Sequence, residues 1–145
     1  MNCPKCGIHL AKTPDEQLEI HSCPACAGMW LKPEALKGLE DRVFDQEQWK
    51  GSLVHWNEPI AVHCPACGRP MEEFQYRIYS LKLAHCPDGH GFWLNAGDAE
   101  KVLEIMRRRK ADIQRKLHAE GEFYKMLQRW KKNIFIRQIF RLFGM

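Results

Sequence analysis

No stretch of the chain is long and apolar enough to suit a bilayer. Its 145 residues contain no uncharged apolar run of about 18, the least that a simple spanning helix needs. Met1-Asn2-Cys3-Pro4-Lys5-Cys6 lacks the apolar core of a signal peptide, so the expected localisation is cytoplasmic, in a reducing compartment. Catalytic signatures are missing too: there is no H-E-x-x-H, no His-x-Glu deaminase pattern and no nucleophile motif. Residues 99–145 hold no cysteine and only five acidic residues against 13 basic ones, a net charge of +8. Residues 1–98 reverse the balance, with nine basic and 13 acidic side chains for a net of −4, and they hold all seven cysteines. The overall +4 is an average of two unlike parts. In a reducing compartment, paired cysteines point to metal or redox chemistry rather than to disulfides. A purely hydrophobic core in modules this short would be small, so an additional staple is expected.

What is present repeats. Cys3-Pro4-Lys5-Cys6-Gly7 recurs as Cys64-Pro65-Ala66-Cys67-Gly68, and Cys23-Pro24-Ala25-Cys26-Ala27-Gly28-Met29-Trp30-Leu31 recurs as Cys86-Pro87-Asp88-Gly89-His90-Gly91-Phe92-Trp93-Leu94. An offset above about 60 residues is too long for a solenoid and indicates tandem duplication of one small module. Each copy predicts a knuckle, two short strands, a second knuckle and a helix. The strands are expected near 8–12 and 17–22, then near 71–77 and 79–85, where Phe74, Tyr76 and Ile78, then Tyr79, Leu81 and Leu83, alternate with polar neighbours. Pro33 suits the first position of one helix, and Asn95 or Asp98 can cap the other. Residues 42–63, with Trp49, Trp56 and Pro59, are too apolar for a free tether and are expected to pack on a module.

Copy one reads C-x2-C-x16-C-x2-C. Four thiolates so spaced surround a zinc ion tetrahedrally, each pair sitting on a tight turn with backbone N–H groups directed at the sulfurs. Glycine after the second cysteine permits the turn. A redox reading fits poorly, because no thioredoxin-like βαβ pattern flanks the pairs. Copy two has three cysteines, with Gly89 in the place of Cys26. His90 is the expected fourth ligand, its imidazole reaching further than a thiolate; His85 and Asp88 are its rivals. The expected cofactors are therefore two zinc ions, one on Cys3, Cys6, Cys23 and Cys26, the other on Cys64, Cys67, Cys86 and His90. Both sites are then saturated, leaving no open position for a catalytic water, so no enzyme and no small-molecule substrate are expected. Zinc binding worth roughly 10–16 kcal/mol makes the metal-free modules unfold. His9, His21, His55, His63 and His118 show no second ligand at metal spacing and read as ordinary surface or packed histidines. Trp30 and Trp93 are expected to cover their own hairpins; the alternative is a stacking platform for a nucleic-acid base.

The doubled pattern Cys-Pro-x-Cys-Gly, hairpin, Cys-Pro-x-Cys-x-Gly-x-Trp-Leu resembles the bacterial zinc-finger family related to the transcription-factor-IIB zinc ribbon, over residues 3–41 and 64–103. The resemblance implies a small metal-stapled α+β fold: two tandem zinc-ribbon modules, each of knuckle, β-hairpin, knuckle and short helix, plus a C-terminal α-helical extension. The family pattern continues past Trp-Leu with an acidic residue, a spacer and Gly-Glu-Leu. Copy two nearly keeps this in Asn95, Ala96, Gly97, Asp98 and Ala99, whereas copy one departs from it at Lys32, Pro33, Glu34, Ala35 and Leu36.

The expected organisation is ribbon one over 1–41, a packed linker over 42–63, ribbon two over 64–103 and a basic amphipathic helical extension over 104–145. Within the extension, Val102 to Leu117 repeat with helical spacing, and Gly121 marks an expected break before a second helix near 122–143. The leading expectation is a non-enzymatic zinc-binding adaptor associating with nucleic acid or a transcription-related complex. Arg107, Arg108, Arg109, Lys110, Arg115, Lys116, Lys131 and Lys132 would meet phosphates. The alternative is a protein-interaction, self-association or peripheral membrane-surface module working through Trp130, Phe135, Ile139, Phe140 and Phe143.

Overall fold

The structure is a computed structural model that describes residues 1–13, 18–132 and 141. Phe135, Ile139, Phe140 and Phe143 lie outside the described residues. Residues up to Arg109 form one compact unit, and those from Lys110 onward form a second.

Copy one contributes strands β1 (Ala11–Lys12), β2 (Ile20–Ser22) and β3 (Met29–Leu31), then helix α1 (Pro33–Asp41). A short helix α2 (Glu47–Lys50) and strand β4 (Val54–His63) follow. Copy two contributes β5 (Pro70–Tyr76), β6 (Lys82–His85) and β7 (Phe92–Leu94), and helix α3 (Asp98–Lys132) completes the described chain. Strand β5 has the expected length, but β1, β2 and β6 are shorter than the alternation predicted: Ile8 and Leu10 lie outside the ladder, His9 makes only an isolated bridge to Asn2, and Tyr79, Ser80 and Leu81 precede β6. Ile78 is two-thirds exposed in a turn where Arg77 and Ile78 both have positive φ.

The two copies are not separate beads. All seven strands join one antiparallel sheet in the order β1-β2-β3-β7-β6-β5-β4. The junction is β3 against β7, with Met29 opposite Leu94, Trp30 opposite Trp93 and Leu31 opposite Phe92. Equivalent strands of the duplicate thus pair about a local pseudo-two-fold centred on the tryptophans. Residues 54–63 form the outer strand next to β5, with register shifts after His55 and after Pro59.

Pro33, which has no N–H of its own to satisfy, occupies the first position of α1, and α1 buries Ala35, Leu36, Leu39 and Glu40. The Asp98 carboxylate accepts from the Asn95 backbone N–H at 2.9 Å and from Lys101 at 3.0 Å, tying the start of α3 to the turn before it. Ala99, Val102 and Met106 are buried at its first turns. The expected break at Gly121 does not occur: α3 is one helix of 35 residues. Good helix formers on both sides of Gly121 outweigh a penalty of about 1 kcal/mol for glycine in a helix interior.

A buried ionic cluster links the copies. Glu40 of α1 accepts from Arg77 Nε and Nη2, both at 2.8 Å, and from the Tyr76 hydroxyl at 2.5 Å. Arg77 also donates to the Gly51 carbonyl at 2.5 Å. Lys50, fully buried, pairs with Glu40 at 3.4 Å, with Glu47 at 3.2 Å and with Asp41. Burial alone would lower the Arg77 pKa, but its bonds to Glu40 outweigh that and hold it above the usual value. Burial, then the Glu40 charge, push the Tyr76 phenol well above its ordinary range.

Candidate metal centres

Each site is assembled from two knuckles whose backbone is closed by its own hydrogen bonds. In site one, Cys3 N–H donates to the Ile8 carbonyl at 2.7 Å and Gly7 N–H to the Cys3 carbonyl at 2.9 Å. Cys23 N–H donates to the Gly28 carbonyl at 2.8 Å and Ala27 N–H to the Cys23 carbonyl at 3.0 Å. Site two repeats this with Cys64 N–H on Arg69, Gly68 N–H on Cys64 and Cys86 N–H on Gly91, at 2.8, 2.8 and 3.0 Å. Gly7 and Gly68 sit at φ of +70° and +73°, the conformation that glycine adopts without strain.

These turns bring the ligand atoms of Cys3, Cys6, Cys23 and Cys26 within 4.8 Å of one another, and likewise those of Cys64, Cys67, Cys86 and His90. A tetrahedron with zinc–sulfur arms of about 2.3 Å has edges of about 3.8 Å. Cys3 Sγ lies 3.7 Å from Cys26 Sγ, and Cys67 Sγ lies 3.7 Å from Cys86 Sγ. His90 Nδ1 is 3.3 Å from Cys86 Sγ, as a shorter zinc–nitrogen arm requires. Both donor sets therefore fit a zinc ion.

The competition for the fourth ligand of site two resolves in favour of His90. His85 turns away: its Nδ1 faces the Cys86 carbonyl at 3.2 Å, its Nε2 lies 3.4 Å from a Glu72 carboxylate oxygen, and its ring meets Phe74 edge-on. Asp88 is held by Arg69 at 2.5 Å. The same count of residues separates Cys23 from Gly28 and Cys86 from Gly91, so the knuckles close alike. What differs is the left-handed residue, Ala27 in copy one and Gly89 in copy two. Moving that turn one residue earlier brings His90 to the position that Cys26 fills in copy one.

The metal-free clusters are electrostatically uneven. Backbone N–H groups draw the Cys23 and Cys67 thiols down to about 7. The neighbouring Cys26 sulfur pushes Cys6 up to about 12, and burial does the same for Cys64. Burial also raises Cys3. Bringing four sulfurs together without a cation is unfavourable, and a dication relieves it.

A family model for the transcription-factor-IIB type of zinc ribbon, a transcription factor zinc-finger, matches residues 2–42 and 63–105. The chain belongs to this zinc-ribbon family. The two matched segments each contain one complete ligand set, so the family's metal centre is present twice. No curated protein and no solved structure matches the chain.

The tryptophans of the family motif do something that the sequence did not reveal. Trp30 and Trp93 are almost fully buried, so neither is a stacking platform for a base. Neither merely covers its own hairpin. A Cβ on Gly28 would lie 2.3 Å from Trp93 Cζ2, and one on Gly91 would lie 2.8 Å from Trp30 Cζ2. Each indole thus rests on the second knuckle of the other copy. The signal available in the sequence was the repeated Gly-x-Trp spacing, which fixes both the small residue and the ring that occupies its missing side chain.

The basic residues fall into two groups. Within the first unit, Arg109 donates from Nε to the Trp49 carbonyl at 2.8 Å, Arg108 pairs with Glu104, and Arg107 is exposed. Along the later part of α3, Arg115 pairs with Asp112 and Lys125 with Glu122 at 2.7 Å. Lys116, Arg129, Lys131 and Lys132 are exposed and make no ion pair among the described residues. Leu117, Phe123, Tyr124 and Trp130 are exposed on the same stretch.

Proposed function

We propose that this zinc-binding protein is a non-enzymatic adaptor that associates with nucleic acid, or with a transcription-related complex containing it, through the basic part of α3. The observation that carries the reading is the exposed cationic surface of residues 110–132, seven Lys and Arg against three Asp and Glu. Polyanion binding releases counterions, so such a helix contributes affinity without sequence specificity. Support for a non-enzymatic role comes from the saturated donor sets: four protein ligands leave no coordination position for water or substrate. A cleft of about 530 Å³ lined by Ser80, Lys82, Asn95, Asp98, Lys101 and Arg108 contains none of the eight ligands. No helix among the described residues is long and apolar enough to cross a membrane.

The test is fluorescence anisotropy of the zinc-loaded full chain with labelled single-stranded and duplex probes across a salt series. Affinity should fall steeply with salt. Replacing Lys116, Arg129, Lys131 and Lys132 by Glu should lower the log–log slope by about one for each phosphate no longer neutralised. Affinity independent of salt, or unchanged in that variant, defeats the proposal. The exposed Phe123, Tyr124 and Trp130 favour a second reading, in which the same helix docks on a protein or an anionic membrane surface. Binding to a partner or to anionic vesicles that survives deletion of residues after Arg109 rules that reading out.

A further inference from the structure

We infer that the two zinc sites act as one cooperative unit, because the indole that supports each site is supplied by the other copy. The Gly28 carbonyl closes the second knuckle of site one by accepting from Cys23, and the space beside Gly28 is filled by Trp93, with Cζ2 and Cη2 at 2.3 and 3.0 Å from where a Cβ would stand. The Gly91 carbonyl closes the second knuckle of site two by accepting from Cys86. The space beside Gly91 is filled by Trp30 Cζ2 at 2.8 Å and by the Leu31 carbonyl at 2.4 Å. The arrangement is reciprocal, and Trp30 stands opposite Trp93 in the β3–β7 register.

Sequence proximity makes the exchange consequential. Trp30 comes four residues after the ligand Cys26, and Trp93 three residues after the ligand His90. Metal that orders one second knuckle therefore also orders the strand that carries the ring to the other site. The Trp93 indole N–H is buried with no hydrogen-bond partner among the described residues. No polar contact positions that ring, so packing against Gly28 and its neighbours does. Cys3, Cys23, Cys64 and Cys86 belong to the same buried cluster as both tryptophans, so one continuous core holds ligands of both sites. Losing one zinc loosens a knuckle, withdraws its surface from the other copy's ring and destabilises the remaining site. The chain then passes between metal-free and two-zinc forms over a narrow range of free zinc. This inference does not depend on what α3 binds.

The decisive measurement is native mass spectrometry of the full chain in zinc buffered by graded chelator. Two independent sites, whatever their separate affinities, give at least about half singly loaded molecules at half-saturation, whereas coupling of about 100-fold lowers that to about a tenth. A singly loaded fraction well below half supports the inference, and half or more overturns it. Two variants locate the coupling. His90→Ala removes an exposed ligand of site two only, and should weaken zinc at Cys3, Cys6, Cys23 and Cys26 by about tenfold or more in chelator competition. Gly28→Ala in the site-one knuckle should weaken cobalt binding at the three-cysteine, one-histidine site, whose visible spectrum differs from that of the four-cysteine site. An unchanged affinity at the distant site in both variants overturns the inference.

Discussion

Glu40→Ala is the sharpest perturbation of the body. The carboxylate is almost wholly buried and accepts from three groups: two Arg77 nitrogens at 2.8 Å and the Tyr76 hydroxyl at 2.5 Å. Removing it leaves the Arg77 guanidinium, whose side chain is 4% exposed, with the Gly51 carbonyl and a Glu47 oxygen at 3.6 Å. Breaking a buried ion pair from one side costs about 3–5 kcal/mol, because the other charge stays buried and uncompensated. The Tyr76 hydroxyl adds about 1 kcal/mol for its missing acceptor. Lys50 adds little, since Asp41 and Glu47 remain beside it. The expected loss is about 4 kcal/mol, a shift of roughly 2 M in the urea midpoint for a chain this small. The assay is urea unfolding followed by circular dichroism at saturating zinc, so that metal loss does not contribute. The same reasoning requires that Glu40→Leu combined with Arg77→Met regain most of the loss, because replacing both charges removes the desolvation cost. A midpoint shift under about 0.5 M for Glu40→Ala, or a double variant no more stable than the single, refutes the argument.

Chelation of both zinc ions should abolish the strand signal of residues 1–109 in circular dichroism, since binding worth about 10–16 kcal/mol rivals the whole stability of a small domain. A retained sheet after verified removal of both ions contradicts this. Zinc affinity should strengthen as pH rises. Cys6 and Cys64, pushed up to about 12, hold protons at neutral pH in the metal-free clusters and give them up to solvent when zinc takes their sulfurs. Below about pH 7 protons on Cys23 and Cys67 compete as well, so the dependence steepens there. An unfolded metal-free chain, with thiols near about 8.5, gives the same sign, and chelator competition at several pH values checks it. Two glycines should respond in opposite directions. Gly91→Ala places a methyl 2.4 Å from the Leu31 carbonyl and should cost several kcal/mol, on the order of a buried overpacking defect, in urea unfolding. Gly121→Ala meets nothing within 4 Å on an exposed helix and should raise helical signal and stability by about 0.5–1 kcal/mol. A helix break at Gly121 would reverse that second sign.

The knuckles were legible because they are local. In the first knuckle of each copy, two cysteines three positions apart, a proline between them and a glycine after them specify a turn without help from the rest of the chain. Spacing already favoured His90 over His85 as the fourth ligand, and the site bears it out; what spacing did not show is the turn that places it, with the left-handed residue at Gly89 in one copy and Ala27 in the other. The β3–β7 junction joins strands about 60 positions apart, and no periodicity reports which edge a three-residue strand chooses. The Glu40–Arg77 pair was hidden for a different reason. A lone glutamate in a helix and a lone arginine after a strand read as surface residues, and only the positive φ of Arg77 and the bend at Gly51 bring them inside. Gly121 misled because propensity is a sum over neighbours, and one glycine among good formers does not end a helix.

The junction also explains why the module occurs twice in one chain. In a single copy, β3 or β7 would be an edge strand with unpaired backbone groups, a large aromatic and an adjoining groove at its glycine, a surface prone to pair with another sheet. Pairing the two equivalent edges closes both at once, and the reciprocal fit of Trp30 on Gly91 and Trp93 on Gly28 has the self-complementarity of a two-fold dimer interface. The remaining edges are blunt. β1 has two residues, and β4 is interrupted by two register shifts, carries Pro59, and bends at Trp56, a non-glycine with φ of +51°. A sheet so finished has little capacity to recruit another strand. The proposed adaptor role rests instead on α3, where Lys116, Arg129, Lys131 and Lys132 and the aromatic Phe123, Tyr124 and Trp130 are exposed.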